Sequence, residues 1–512
     1  MIFSSPQFLF VFLPLAVTGF FLLPQQPLFW RKGWLIFASL FFYAWWKWEY
    51  LALLLLSLAA NFLWGRLLIR TSSSRPRFWL LVLGVAGNLG LLGYFKYSGF
   101  FLSTLEPFLG LSWNPVIILP LAISFFTFTQ IAYLVDVSRN ASFRYSLLDY
   151  SFFVVFFPHL IAGPIVRHWE IIPQIRFRPL VFSRENLGPG LAMLVMGLAK
   201  KTLLADPLGR YVDAVFHASA SGIQIPAFDA WLGTGAFALQ IYFDFSGYSD
   251  MALGLALFFG IRFPINFDSP YQASSIAEFW SRWHISLTRF LREYVYFPLG
   301  GNRCGLPAQC RNILVTMLLS GLWHGAGWTF LAWGFLHGIY LVIHRLWVMG
   351  RQRLLFPALG WPARISGRVL TLGAVLMGWV FFRASSLEEA WRFLQTMGGA
   401  HGWTLSEQVT NTEGGMGRWW ISLGLRFVEP NFNAGSYTEL SERILVAALL
   451  VFLAPNSQQI LARYRPCLGD IRPSVWKIPL NVWSGIFLGF LFWLVTRAFL
   501  VARPNPFIYF NF

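Results

Sequence analysis

Three of the eight histidines, His284, His324 and His337, fall in or beside apolar sequence between Glu278 and Gly338. An imidazole there must be hydrogen-bonded or chemically employed, because a buried polar group without a partner is costly. His324 sits among small residues, with Ser320 and Gly321 one helical turn before it and Gly325, Ala326 and Gly327 after it. Absent side chains leave room for a substrate or for close helix contact. Leu322, Trp323 and Trp328 make the surroundings apolar as well. A neutral imidazole can accept a proton near pH 7, and general-base catalysis typically contributes about 10² to 10⁴ in rate. Residue types alone leave a catalytic and a structural role both open.

On a helical wheel drawn through Glu278–Glu293, Trp280, Trp283, His284, Leu287, Phe290 and Leu291 share one face. Glu278, Arg282, Arg289 and Glu293 share the other. The pattern predicts an amphipathic helix along the interface or a cavity, with His284 directed inward in a supporting role. On an uninterrupted helix His337 would point away from His324, which predicts packing.

Asp244 and Asp250 lie in the apolar run Phe237–Gly260. Ionisable groups at membrane depth are functional candidates, although capping or pairing with a basic residue is the plainer alternative. Ser246-Gly247 predicts a break there between two shorter helices. In Ser151–Glu170, Pro158 and Gly163-Pro164 predict a re-entrant or broken helix against protein or a water-filled cavity. His159, Arg167 and His168 would then lie near the mouth of that cavity. Metalloprotease, serine hydrolase and P-loop patterns are missing, and Cys304, Cys310 and Cys467 form no CxxC, which argues against a metal site or a disulfide framework.

The elements that must hold these residues are helical. With 56% hydrophobic and 12% charged residues, against about 25% charged in soluble domains, the chain reads as an all-α polytopic integral membrane protein. About 11 to 13 spans are expected, at about 20 apolar residues each, together with re-entrant and amphipathic helices. The whole of 1–512 forms one membrane-embedded unit, with 278–338 at its core and 398–442 as a polar surface loop holding short amphipathic helices and a solvated His401. The N-terminal apolar run lacks a basic n-region and a convincing cleavage site, so it reads as a retained first span. The net charge of +17 is spread over short loops such as that holding Arg66, Arg70, Arg75 and Arg77, which marks a cytoplasmic loop rather than nucleic-acid binding. A transporter or channel using the buried Asp and His residues is the alternative to an enzyme, but no inverted repeat is evident.

The stretches EFWSRWHISLTRFLREYVYFPLGGNR and RNILVTMLLSGLWHGAGWTFLAWGFLHG resemble the signature of the membrane-bound O-acyltransferase family, in its bacterial branch related to alginate O-acetyltransferase subunit I. MIFSSPQFLFVFLPL, LGYFKY, ISFFTFTQIAYLVDV, FFPHLIAGPIVR, LQIYFDFSGYSDMALG, GWVFFRA and PFIYFNF extend the resemblance over essentially the whole chain. It implies a bundle around a central tunnel, with His324 of GLWHG as the catalyst and His284 of RWHIS as its partner. Trp280, Trp283, Trp323, Asp244, Asp250 and His159 become tunnel-lining or supporting candidates. The resemblance also implies acetyl-CoA or another acyl thioester as donor, with no bound cofactor or metal. A periplasmic SGNH-type partner and a polysaccharide acceptor are expected outside the bacterial inner membrane. Alginate leads as acceptor, with cellulose and peptidoglycan behind it. Tyr509 of the tail is either an acyl relay or an interfacial anchor.

Overall fold

The computed structural model describes residues 1–24, 26–110, 117–177, 183–353, 360–400, 402–406, 426–428, 437–501 and 507–508. Among the described residues the elements are helices, apart from a short parallel pair, Thr404–Ser406 with Arg426–Val428, and an isolated bridge between Pro264 and Leu468. That pair occupies part of the polar segment expected to hold short helices, while His401 lies outside the described residues.

The helix Ala227–Phe258 runs unbroken for 32 residues through the middle of the molecule, and nearly all of it is buried. The break expected at Ser246-Gly247 does not occur. Gly247 instead serves close approach to the helix Arg184–Ala199: a Cβ on Gly197 would lie 2.5 Å from the Gly247 carbonyl, and one on Gly254 2.5 Å from that of Gly190. Glycines thus form a seam along which the two backbones touch. Beyond the seam the chain widens into a π-helical turn, Lys200–Ala205. Lys200 reaches Asp250 at 2.6 Å, and Lys201 reaches Asp244 at 2.9 Å.

Among the described residues, six helices are long and apolar enough to cross a membrane, including Glu49–Arg70, Trp328–Arg351 and Trp361–Arg383. A count of eleven to thirteen spans therefore has to include shorter helices such as Phe29–Ala44 and Ile123–Arg139. The apolar run at the N-terminus forms the helix Phe8–Leu22.

Ser151–Glu170 is broken as its prolines imply. The helix Leu147–Val155 stops, Phe157–Leu160 makes one turn, and an irregular segment leads to His168–Phe177. Glu278–Glu293 is also broken, against expectation. The helix Ile276–Arg282 ends at an extended Trp283, His284 takes a left-handed backbone (φ 42°), and Ile285–Leu291 follows before the π-helical turn Arg292–Tyr296. The cause is tertiary. Asp268 N–H donates to the Arg282 carbonyl, and Ile285 N–H to that of Asn266, so a neighbouring strand of chain is wedged into the break. Arg282, expected on the exposed face, is buried and paired with Glu278. Burial pushes the Glu278 carboxyl up, but Ser274, through both N–H and hydroxyl, and Arg282 outweigh it and hold the carboxyl below the ordinary carboxylate range.

Candidate functional site

His324 is the last residue of the helix Leu306–His324, which Gly325 ends in an extended conformation. The following helix, Trp328–Arg353, returns close by because glycines meet again: a Cβ on Gly321 would lie 2.2 Å from the Phe330 carbonyl, and one on Gly334 2.3 Å from that of Met317. The small residues around His324 therefore serve the helix contact. Open space lies on another side, where His324 and Trp323 form part of the wall of a cavity of about 300 Å³ lined also by Trp46, Lys96, Ile161 and Ala162.

The His324 ring is packed edge-on by Trp333 (5.0 Å between centroids) and Phe382 (5.3 Å), with Trp323 at 4.9 Å. His284 lies 6.5 Å away, completely buried, with Phe245 at 4.7 Å and Trp323 at 5.9 Å. The structure thus brings together the two histidines that the sequence singled out, although they come from different elements.

His284 is oriented by Asn266, which sequence reasoning missed. The Asn266 side-chain oxygen accepts from the Ser286 hydroxyl (2.9 Å) and backbone N–H (3.3 Å), and from Nδ1 of His284 (3.2 Å). Nδ1 therefore carries the proton in the neutral ring, and Nε2 keeps its lone pair, buried and without a hydrogen-bond partner among the described residues. A neutral His284 is therefore an acceptor at Nε2 and not a donor there. Trp323 stands against both imidazoles, and its indole N–H is buried without an acceptor among the described residues.

Two further residues missed in sequence, Lys96 and Tyr97, hold the end of the His324 helix through its carbonyls. LGYFKY carried a resemblance but nothing in it pointed to a contact more than two hundred residues away.

The helix expected to carry both His324 and His337 is interrupted at Gly325–Gly327, so His337 does not point away on a common axis. It packs on the other side of Trp333 (4.9 Å), against Trp280 (5.3 Å) and beneath Gly378, with neither ring nitrogen hydrogen-bonded among the described residues. Next to it, Tyr340 (5.7 Å) lines a second cavity, of about 900 Å³, whose wall includes His344, Arg351 and Arg364. Trp283 is buried between Phe267 and Trp379, each at 5.1 Å, one layer behind the histidines.

The remaining candidates stand apart from the imidazoles. Asp250 is saturated by Lys200, Ser457 and Gln458. Asp244 pairs with Lys201 and accepts from the Ile508 backbone N–H (2.8 Å). These are ion pairs that stitch helices together, the plainer of the two alternatives. His159 is buried beside Phe263 and does not line the 300 Å³ cavity, whose wall there is Ile161 and Ala162. Arg167 and His168, expected at a cavity mouth, are buried with Glu293 (2.6 Å) and with Tyr145 and Asp136. Tyr509 lies outside the described residues; its neighbours Phe507 and Ile508 are buried, Phe507 between Tyr248 (4.7 Å) and Phe245 (5.4 Å).

A profile described as MBOAT, membrane-bound O-acyltransferase family, matches residues 18–387. The peptidoglycan O-acetyltransferase of Helicobacter pylori is 42% identical over 440 residues, covering 79% of this chain and 81% of the relative. The probable alginate O-acetylase AlgI of Pseudomonas aeruginosa is 42% identical over 418 residues, covering 80% and 76%. A more distant similarity, 28% over 252 residues, is to the teichoic acid D-alanyltransferase of Streptococcus thermophilus, covering 46% of this chain and 59% of that one. The matched profile contains Lys96, Asn266, His284 and His324, whereas the tail lies beyond it.

Proposed function

The chain belongs to the membrane-bound O-acyltransferase family, and from that premise we propose that it moves an acetyl group from a cytoplasmic thioester, acetyl-CoA or a related donor, across the bacterial inner membrane for O-acetylation of an extracytoplasmic polysaccharide. Alginate and peptidoglycan are the acceptors that the names of its relatives suggest, and an SGNH-type protein outside the membrane is the partner that would place the group on the polymer.

The observation that carries this reading is that His324 lies in the wall of one cavity and is joined by packed rings to the wall of a second. His324 forms wall in the smaller one; Trp333, His337 and Tyr340 lead ring by ring from it to the larger one. Trp46, in the smaller cavity's wall, adjoins the Glu49 end of the helix Glu49–Arg70, and the basic loop follows the Arg70 end about 33 Å away. Under the positive-inside rule the smaller cavity then faces away from the cytoplasm, where an acceptor arrives. The larger cavity, with Arg351 and Arg364, lies toward the basic side, where a donor arrives.

In the reaction, an acceptor hydroxyl gives its proton to a ring nitrogen of His324 as its oxygen bonds to the thioester carbonyl carbon. The carbonyl π pair moves onto oxygen, and the indole N–H of Trp323, packed beside His324 and unengaged among the described residues, is the donor that would stabilise it. On collapse the C–S bond breaks, and the leaving thiolate takes the proton back from the imidazolium. His284, held at Nδ1 by Asn266, offers Nε2 as an acceptor in the same pocket. A transient acyl group on His324 itself is the other route open to the same residues.

Docking of Phe507 and Ile508 beside Phe245, which itself packs on His284, favours an additional role for the next residue, Tyr509, as the first hydroxyl to receive the acetyl group. A permeation path built on Asp244 and Asp250 has no comparable support, since both carboxylates are ion-paired.

The test is thiol release from acetyl-CoA by the purified full-length protein. His324→Ala should lower turnover by about 10² to 10⁴, the usual worth of a general base. Undiminished turnover would defeat the assignment.

A further inference from the structure

Lys96 and Tyr97 sit in a single π-helical turn, Gly93–Tyr97, set between the α-helices Ser74–Leu92 and Ser98–Leu109. Such turns interrupt a helix at a cost and recur where side chains must be re-aimed. Here both side chains reach the same target. The Lys96 ammonium donates to the carbonyl of Trp323 at 2.6 Å and of His324 at 3.3 Å, and the Tyr97 hydroxyl donates to that of Leu322 at 2.7 Å. These are three successive carbonyls in the last turn of the His324 helix, and the last four carbonyls of any helix have no partner within it. The clamp is therefore a C-cap supplied by a different helix.

The clamp also carries charge. A helix C-terminus presents roughly half a negative charge, the wrong sign for a site in which a carbonyl oxygen is to become an oxyanion. The Lys96 ammonium lies against that pole, 6.0 Å from the Trp323 ring centroid, and lines the same cavity as His324. Two of its three N–H bonds are accounted for by the carbonyls.

We infer that Lys96, seconded by Tyr97, is a positioning residue for the acyl transfer: it fixes the helix end that carries His324 and cancels the negative pole beside it, so that charge can develop on the acyl oxygen. The inference rests on the functional reading above, since it needs His324 to be the base. Its signature is a loss in kcat with little change in KM, because the clamp matters to the transition state more than to binding.

Lys96→Met, Lys96→Arg and Tyr97→Phe are compared with His324→Ala in full-length protein, with acetyl-CoA as donor and thermal unfolding in detergent as the check on folding. Misplacing a reacting group by about 1 Å costs about 10² in rate, so Lys96→Met should lose about 10² in kcat with KM unchanged within about threefold. Lys96→Arg, which restores charge and donors, should recover most of that loss. Tyr97→Phe removes one hydroxyl and should lower kcat several-fold; it carries the test if Lys96→Met does not fold. A full kcat in Lys96→Met, equal losses in the Met and Arg variants, or an unchanged Tyr97→Phe would each overturn the inference. His324→Ala inactive beside a fully active Lys96→Met sinks the clamp alone, whereas a fully active His324→Ala sinks the functional reading and the clamp together.

Discussion

At the scale of single residues, the two histidines are held by opposite means. His324 is fixed through its backbone, by the end of its helix and the carbonyls clamped there, whereas His284 is fixed through its side chain, by the Asn266 amide. Asn266→Ala would strand the Ser286 N–H and His284 Nδ1, and each unsatisfied buried group costs about 1 to 3 kcal/mol. The expected outcome is a lower unfolding temperature together with slower thioester turnover while His324 is intact; a variant that melts and turns over like the parent would contradict it. His324 stood out in sequence because small residues flank an imidazole within an apolar run, although residue types alone left its role open. Asn266 and Lys96 did not, because their importance lies in contacts made across long separations in the chain. The left-handed backbone of His284 was equally hidden: no glycine or proline marks it, and it exists because the stretch around Asn266–Asp268 pairs with the backbone on both sides of it.

At the scale of elements, backbone proximity between helices decides what can be substituted. On the helix Ala227–Phe258, Gly235 faces open space, while a Cβ on Gly254 would lie 2.5 Å from the Gly190 carbonyl. Alanine is favoured over glycine in a helix by about 1 kcal/mol, so Gly235→Ala should raise the unfolding temperature. Gly254→Ala should lower it, since overpacking typically costs about 1 to 3 kcal/mol and the obstacle here is backbone. Two alanines on one helix that shift melting in the same direction would refute the seam. Composition made the helices legible, and Pro158 and Gly163-Pro164 made one broken segment legible. The wheel misread Glu278–Glu293 because a period of 3.6 continues on paper through a break that only tertiary contacts impose.

At the scale of the whole molecule, the last described residues of the chain return to its centre. Ile508 is bonded to Asp244, which is bonded to Lys201, so the tail is tied to the same helix pair that forms the core. Tyr509→Phe keeps an aromatic ring for anchoring and should abolish acetylation of the polymer; polymer acetylated at the parental level would rule out the relay. The buried helix has a consequence for how the protein is made. Ala227–Phe258, though nearly all buried, is not among the six helices long and apolar enough to cross a membrane, and two of its buried carboxylates, Asp250 and Asp244, are met by Lys200 and Lys201 from the helical segment synthesised just before it. During biogenesis it can enter lipid cheaply only as the second arm of a hairpin whose first arm already waits with the neutralising charges, so membrane insertion of this region is a coupled event set by the order of translation.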